Sequence, residues 1–388
     1  MRIALNGWFL VHHPHTGTGQ YLRALLEWLP QVAPEAEYYV VVPDAAPSAA
    51  PAPGAASLAL PSACRVQPVR CGPSDLDKLR FEQYLFPQAC RALRADLAHV
   101  PHWAPPFFSP GPPCIVTIHD LIPRLLPAYR GHLLARAYTA LASAATPGAA
   151  LILADSEASR QDILRELGLA QHKVQRIYLA ADTRYTPLGA SRADEVIRQK
   201  YGLPEKYVLY LGGFDTRKNV PLLLEAWAGA ALGRHAPLAL GGQVPSPDGR
   251  LFADYPRLIA QLGLADAVKL MGAVDEADKP ALYRGAAAFV YPSRYEGFGL
   301  PPLEAMACGT PVITTTCGSL PEVVGEAGYL VSPDDARAWG TAVLACLTEP
   351  TQAQTLRARG LVQARQFSWE KTARETAAAY TAVARPAA

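Results

Sequence analysis

Short apolar runs of four or five residues recur along this chain, each followed by a stretch with helical spacing, and the pattern starts over after Lys206. Before the restart, residues 2–5, 38–42, 114–118 and 151–154 read as buried strands, with a helix over 19–29. After it, strands are expected at 207–211, 238–241, 268–271, 288–291, 311–315 and 329–331. Helices are expected between them, near 220–230, 254–262, 278–284 and 302–307. Strands that are apolar throughout are covered on both faces, and strand–helix alternation gives parallel sheets. Two cycles therefore predict an α/β chain of two doubly wound, Rossmann-like domains facing a cleft. Ligands are expected outside the carboxyl ends of the strands. A length of 388 residues suits two domains.

The boundary is expected in the polar stretch 183–205, which Pro187, Gly189, Gly202 and Pro204 punctuate. The domains are then 1–185 and 186–368, with a last helical segment, 369–388, packing back on the first. Residues 45–61 are rich in Ala, Pro and Ser and read as an exposed loop.

Composition removes several classes of function. Lys and Arg number 36 against 34 Asp and Glu, a formal charge of +2, which gives no surface for coating nucleic acid. An anionic ligand must be held by a few local residues. The seven cysteines are odd in number and form no C-x-x-C pair, which argues against a zinc site or a disulfide framework and suits a reducing cytoplasm. No run reaches the roughly 18 apolar residues of a membrane span. The start, MRIALNGWFLV, is too short and too lightly charged for a secretory signal.

The most informative run is YEGFGLPPLEAMACGTP, residues 295–311, placed after one expected strand and opening a helix. Pro301 and Pro302 suit a first helical turn, where an N–H is unpaired in any case. Gly297 and Gly299 let backbone approach a ligand, and the amides of Gly299 and Leu300, beyond Phe298, would face an anion at the helix N-terminus. Glu296 and Glu304 are carboxylates that can accept from sugar hydroxyls. A plain strand–loop–helix connection with solvated glutamates is the bland alternative.

A second loop, LGGFDTRKN over 211–219, also joins a strand to a helix. Gly212 and Gly213 open space, and Arg217 and Lys218 supply cations. A diphosphate leaving group gains charge as its bond to a sugar breaks, so fixed cations there favour the transition state. Alone, such a basic turn is as often merely solvated. A third loop, TGTGQY over 16–21, offers Gly17 and Gly19 at a helix start but lacks the G-x-G-x-x-G spacing of a dinucleotide site. His119-Asp120 closes the strand 114–118, where a histidine could donate to a hydroxyl or phosphate; a structural histidine capped by its neighbour is the competing expectation. The D-x-D of Asp75 and Asp77 follows no expected strand and reads as chance, and no metal site is expected.

These residues resemble glycosyltransferase family 4, with the GT-B fold, over nearly the whole chain. The E-x7-E element from Glu296 to Glu304, the following CGTPVI, the GGFDTRKN loop and the closing FSWEKTARET carry the resemblance. It implies a retaining, metal-independent hexosyl transfer from a nucleotide-diphosphate sugar, with no cofactor beyond that donor substrate. Donor would sit on the second domain and acceptor on the first. Glu296 would hold donor-sugar hydroxyls, Glu304 the ribose, Arg217 and Lys218 the diphosphate. His119 would contact the donor sugar near its anomeric centre. Gly17, Gly19, Gly213, Gly297, Phe298, Gly299 and Leu300 would complete the donor-binding set. Many members carry Arg where Gly213 stands, and Arg217 is the substitute here. The TRKN form looks closest to mannosyltransferase-like members, so GDP-mannose is the expected donor, with UDP-glucose as runner-up. The acceptor is a glycan, lipid-linked or small molecule, in the cytoplasm. A non-catalytic nucleotide-sugar-binding scaffold is the alternative.

One further expectation concerns the inner membrane. Lys78, Arg80, Phe81, Tyr84, Phe86, Arg91 and Arg94 fit a helix showing cations beside apolar groups, which could visit anionic lipid transiently. Against this, Glu82 and Pro87 favour a helix with its apolar side in the core and its charges solvated.

Overall fold

The computed structural model describes residues 1–44, 60–189 and 191–384. The expected loop 45–61 lies outside them but for its last two residues. The chain forms two compact units, Met1–Leu179 with Ser368–Ala388, and Ala180–Phe367. By Tyr185 the chain packs within the second unit, its ring edge-on to Tyr283 at 5.8 Å.

The first unit holds a seven-stranded sheet. Its strands are β1 (Arg2–Asn6), β2 (Glu37–Asp44), β3 (Cys64–Arg70), β4 (Leu97–Val100), β5 (Cys114–Ile118), β6 (Leu151–Ala154) and β7 (Val174–Arg176). Their order is β3-β2-β1-β4-β5-β6-β7, parallel throughout. The second unit repeats the plan with β8 (Val208–Leu211), β9 (Leu238–Gly241), β10 (Val268–Gly272), β11 (Ala288–Tyr291), β12 (Val312–Thr315) and β13 (Gly328–Val331). Its order is β10-β9-β8-β11-β12-β13. Each unit is thus doubly wound. The strand order reverses between β1 and β4 in one and between β8 and β11 in the other, and such a reversal opens a crevice at the strands' carboxyl ends.

Three strands were not expected. β3 and β7 are edge strands, and β3 carries Pro68, tolerated because an edge has one side without a partner. β4 is fully buried but only four residues long, and His99 breaks its apolar character. Inside the sheet His99 is satisfied on both nitrogens, by the Tyr380 hydroxyl at 2.6 Å and Thr117 Oγ1 at 2.9 Å. Burial pushes its pKa down to about 3, so it stays neutral. Tyr380 belongs to the helix Trp369–Ala384, which lies against the helix Gly17–Val32 in the first unit.

The segment after β3 departs from the lipid-facing expectation. Asp75–Arg80 is a helix capped by Ser74, and Asp77 closes the capping box by accepting from the Ser74 amide and hydroxyl. That is the structural role of Asp77 in the D-x-D pair. A π-turn, Phe81–Leu85, and the helix Phe86–Ala92 follow. Phe81 and Phe86 are fully buried in the core, and of the three aromatics Tyr84 alone is exposed. Of the apolar residues in the expected row, Phe81 and Phe86 thus belong to the core, while Tyr84 and, earlier in the segment, Leu76 are exposed. Glu82 is not solvated: it is fully buried, accepting from Tyr138 at 2.8 Å and paired with His102 at 2.7 Å. Among the described residues no helix is long and apolar enough to cross a membrane.

The helix Gly17–Val32 begins at Thr16, whose hydroxyl accepts from the Gly19 amide. A β-carbon on Gly19 would lie 2.5 Å from the His13 carbonyl oxygen and 2.8 Å from that of Pro14, whereas one on Gly17 meets nothing within 4 Å. Gly19→Ala is expected to cost about 1–3 kcal/mol, since backbone must move. Gly17→Ala should cost nothing or gain a few tenths of a kcal/mol from helix propensity. Urea denaturation of the two variants checks the difference, and equal midpoints would refute it.

Candidate active site

In the second unit, two loops leave the strands that flank the reversal point. The loop after β8 makes a single 3-10 turn, Thr216–Lys218, then reverses at Asn219, whose φ is +54°. Asparagine tolerates that left-handed conformation better than most side chains. Its side-chain Nδ2 donates to the Pro333 carbonyl at 2.8 Å, and the helix Val220–Gly229 starts there with Pro221 in its first turn. The turn sends the cations of Arg217 and Lys218 back towards β11.

The loop after β11 meets them. Glu296 Oε1 takes Lys218 Nζ at 2.7 Å, Arg217 Nη1 at 2.9 Å and the Ser293 hydroxyl at 2.5 Å. The side chains of all three charged residues are only 12–13% exposed. Arg217 also donates to the Tyr295 carbonyl at 2.8 Å, and Lys218 to the Tyr291 hydroxyl. Burial works against the charge on Glu296, but the Lys218 ammonium and the Arg217 guanidinium outweigh it and hold the carboxyl below its usual range. For Lys218 burial prevails, seconded by the charge of Arg217, and its pKa is lowered despite Glu296. Two carboxylates therefore face the two enclosed cations, Glu296 bridging both and Asp215 lying 3.6 Å from Arg217 Nε, and an Arg and a Lys held in place in this way are the side chains that recognise phosphate oxygens.

The helix Leu300–Ala307 follows, entered through Gly299 at φ +108°, a conformation open chiefly to glycine. The first amides of a helix have no partner within it, so Gly299 and Leu300 can serve an anion or a hydroxyl. Gly297, partly exposed, precedes them. Phe298 is different: its ring is buried edge-on against Phe367 at 5.8 Å, so any ligand contact it makes is through its backbone. Glu304 projects from the same helix and accepts from the Tyr283 hydroxyl at 2.9 Å. Burial raises its pKa, against the opposing charge of Lys279. Gly213 is exposed, and a β-carbon there would come within 3.2 Å of Asp215 Oδ2.

In the first unit His119 stands at the carboxyl end of β5, but its partner is not the neighbouring Asp120, which accepts from the Ile122 amide at 2.9 Å. His119 Nδ1 lies 2.7 Å from Asp155 Oδ2, and Nε2 lies 3.1 Å from the Pro101 carbonyl oxygen. The expectation of a histidine capped by its neighbour thus fails, because Asp120 is turned into the following helical turn. Asp155 was missed by sequence reasoning. The available signal was its position directly after the expected strand 151–154. Gly17 and Gly19 lie in the same unit, at the helix start described above. Among the described residues no group of three His, Cys, Asp or Glu side chains could hold a metal ion.

Comparison with known proteins decides the family. The description "Glycosyl transferases group 1" matches residues 193–362, and "Glycosyltransferase Family 4" matches residues 10–185. The chain is 36% identical to O-antigen chain mannosyltransferase B of Escherichia coli over 269 residues, covering 69% of each protein. The chain belongs to the group 1 glycosyltransferases. This glycosyltransferase is also 32% identical to the serotype-specific mannosyltransferase WbdA of Escherichia coli over 67% of its own length, a stretch that is 32% of that longer protein. Its fold superposes on sucrose-phosphate synthase from Thermosynechococcus elongatus with a TM-score of 0.74, 25% identity and 98% coverage of both chains. The two parallel sheets are those of a GT-B glycosyltransferase.

Proposed function

We propose that this glycosyltransferase is a retaining hexosyltransferase. It takes a mannose-like sugar from a nucleotide-diphosphate donor and passes it to a glycan, lipid-linked or small-molecule acceptor without a metal ion. The observation that supports this reading most is the enclosed Arg217–Lys218–Glu296 cluster beside the β8–β11 reversal. Its two cations neutralise the diphosphate as the bond between sugar and phosphate breaks, work that a divalent ion does elsewhere. Glu296 keeps the cations in place and offers its second oxygen to a sugar hydroxyl, while Glu304 accepts from the ribose. His119 contacts the donor sugar near its anomeric centre. The names of the two Escherichia coli relatives favour mannose, and the resemblance of the TRKN loop to mannosyltransferase-like members is the motive for testing GDP-mannose first, with UDP-glucose as runner-up. The seven free cysteines suit a cytoplasmic site of action.

A thermal-shift panel of nucleotide sugars tests the donor. A ligand at 100 times its Kd stabilises by about 2.7 kcal/mol, which such a panel resolves. GDP-mannose is expected to give the largest shift. Stabilisation by UDP-sugars alone overturns that preference, and binding without transfer or hydrolysis would favour the non-catalytic scaffold. Turnover in excess chelator is expected to persist; its loss, with recovery on adding magnesium or manganese, would refute metal independence. The anomeric configuration of the product, read by NMR, checks retention.

A further inference from the structure

A histidine ring at neutral pH ordinarily keeps one nitrogen protonated and one as an acceptor. His119 is placed so that neither nitrogen can accept. Its Nε2 faces the Pro101 carbonyl oxygen at 3.1 Å, and its Nδ1 faces the Asp155 carboxylate at 2.7 Å. A carbonyl oxygen only accepts, so Nε2 carries a hydrogen; an ionised carboxylate only accepts, so Nδ1 carries one too. Asp155 is 3% exposed and follows β6, just ahead of the helix Glu157–Leu167. From that helix Ser159 donates its hydroxyl to the His119 carbonyl at 3.1 Å, fixing the backbone of the same residue.

We propose that Asp155 is the positioning residue of the first unit: it holds His119 as a doubly protonated ring and leaves Nε2–H, bonded to one backbone carbonyl, as the donor that can pass to an oxygen of the bound substrate. The proposal rests on the reading of His119 as a contact of the donor sugar. Its chemical content is that His119 has no lone pair at neutral pH, so it stabilises negative charge and hydroxyl oxygens and does not remove protons.

The other groups around the ring agree. The Tyr21 ring meets it edge-on at 5.0 Å. Burial is the largest influence on the ring and opposes its charge, but the charge and hydrogen bond of Asp155, then the charge of Asp120 and the Pro101 carbonyl, outweigh it and raise the pKa above the usual histidine value. His99 and His102, on β4 and just beyond it, are pushed down by burial and add no competing charge near neutrality. A group whose pKa is raised keeps its proton below that value and loses it as pH climbs through it. The alkaline limb of any reaction that needs this donor therefore reports His119.

Nitrogen-15 NMR of the full chain with labelled histidine tests this. In the wild-type protein both His119 nitrogens should be protonated at pH 7, with a midpoint above the ordinary 6.5. Asp155→Asn keeps the shape and removes the charge, and should lower that midpoint by about 1–3 pH units, moving the alkaline limb of kcat/KM down with it. Asp155→Glu should recover part of both. A neutral His119 ring in the wild type at pH 7, or an unchanged midpoint in Asp155→Asn, overturns the proposal. Should Asp155→Asn fail to fold, the wild-type spectrum still decides. If the spectra are as expected but no nucleotide sugar is turned over, the charge assignment stands and the transferase reading falls.

Discussion

With Lys218 replaced by alanine, kcat is expected to fall by about 100- to 1,000-fold while the protein stays folded. The ammonium lies in a buried pocket between Glu296 and the Tyr291 hydroxyl. It is fixed before any ligand arrives and, with the nucleotide-diphosphate donor proposed above, needs no reorganisation when charge develops on the leaving group. Most of that charge appears in the transition state, so the loss falls on kcat more than on KM. Stability should change far less, because Glu296 keeps Arg217 as a partner at 2.9 Å. Single-turnover transfer from the preferred donor, read beside a thermal melt, separates the two effects. An unchanged kcat, or a loss of activity fully matched by unfolding, would count against this role.

Glu296→Ala should act the other way round, with a stability loss of about 3–5 kcal/mol before any substrate is added, as for a buried pair that loses one partner. The variant leaves Arg217 and Lys218, each only 12% exposed, without the carboxylate that bridges them. Asp215 lies 3.6 Å from Arg217 Nε and screens one cation in part. For a unit of this size such a loss lowers the Tm by about 10 °C. The pH dependence follows from the sign of the Glu296 shift. Its folded pKa is depressed, so its contribution is present above the ordinary carboxylate value and is lost as pH falls through the depressed one. The variant should lack that acid limb. A nucleoside diphosphate returns negative charge to the cations, so it should raise the Tm of Glu296→Ala more than that of the wild type. Equal shifts in the two proteins would show that the cluster does not receive the diphosphate.

Much of the frame was legible because its signals are local. β6, β9 and β11 are unbroken apolar runs and β5 is broken only by Thr117, and contiguous residues suffice to mark a strand buried on both faces. The loops after β8 and β11 were legible for the same reason: glycines, prolines and an asparagine set the backbone, and the charged residues lie within a few positions of them. The first unit's edge strands, β3 and β7, escaped notice because most of their residues are at least partly exposed, and β3 even carries a proline. The helix over 75–92 was visible, but which of its residues face inward was not. Glu82 reads as a surface charge until His102 and Tyr138, 20 and 56 residues away, are brought to it.

The sequence by itself determined two doubly wound units, the strand ends where chemistry belongs, and the residue types available there. Only tertiary structure decided the pairings: Glu296 with Arg217 and Lys218, and His119 with Asp155 across 36 positions instead of with adjacent Asp120. The physical reason is that backbone preference and hydrophobic period act over one or two turns of chain. A buried charge, by contrast, is stable only beside a partner that the packing of separate strands supplies.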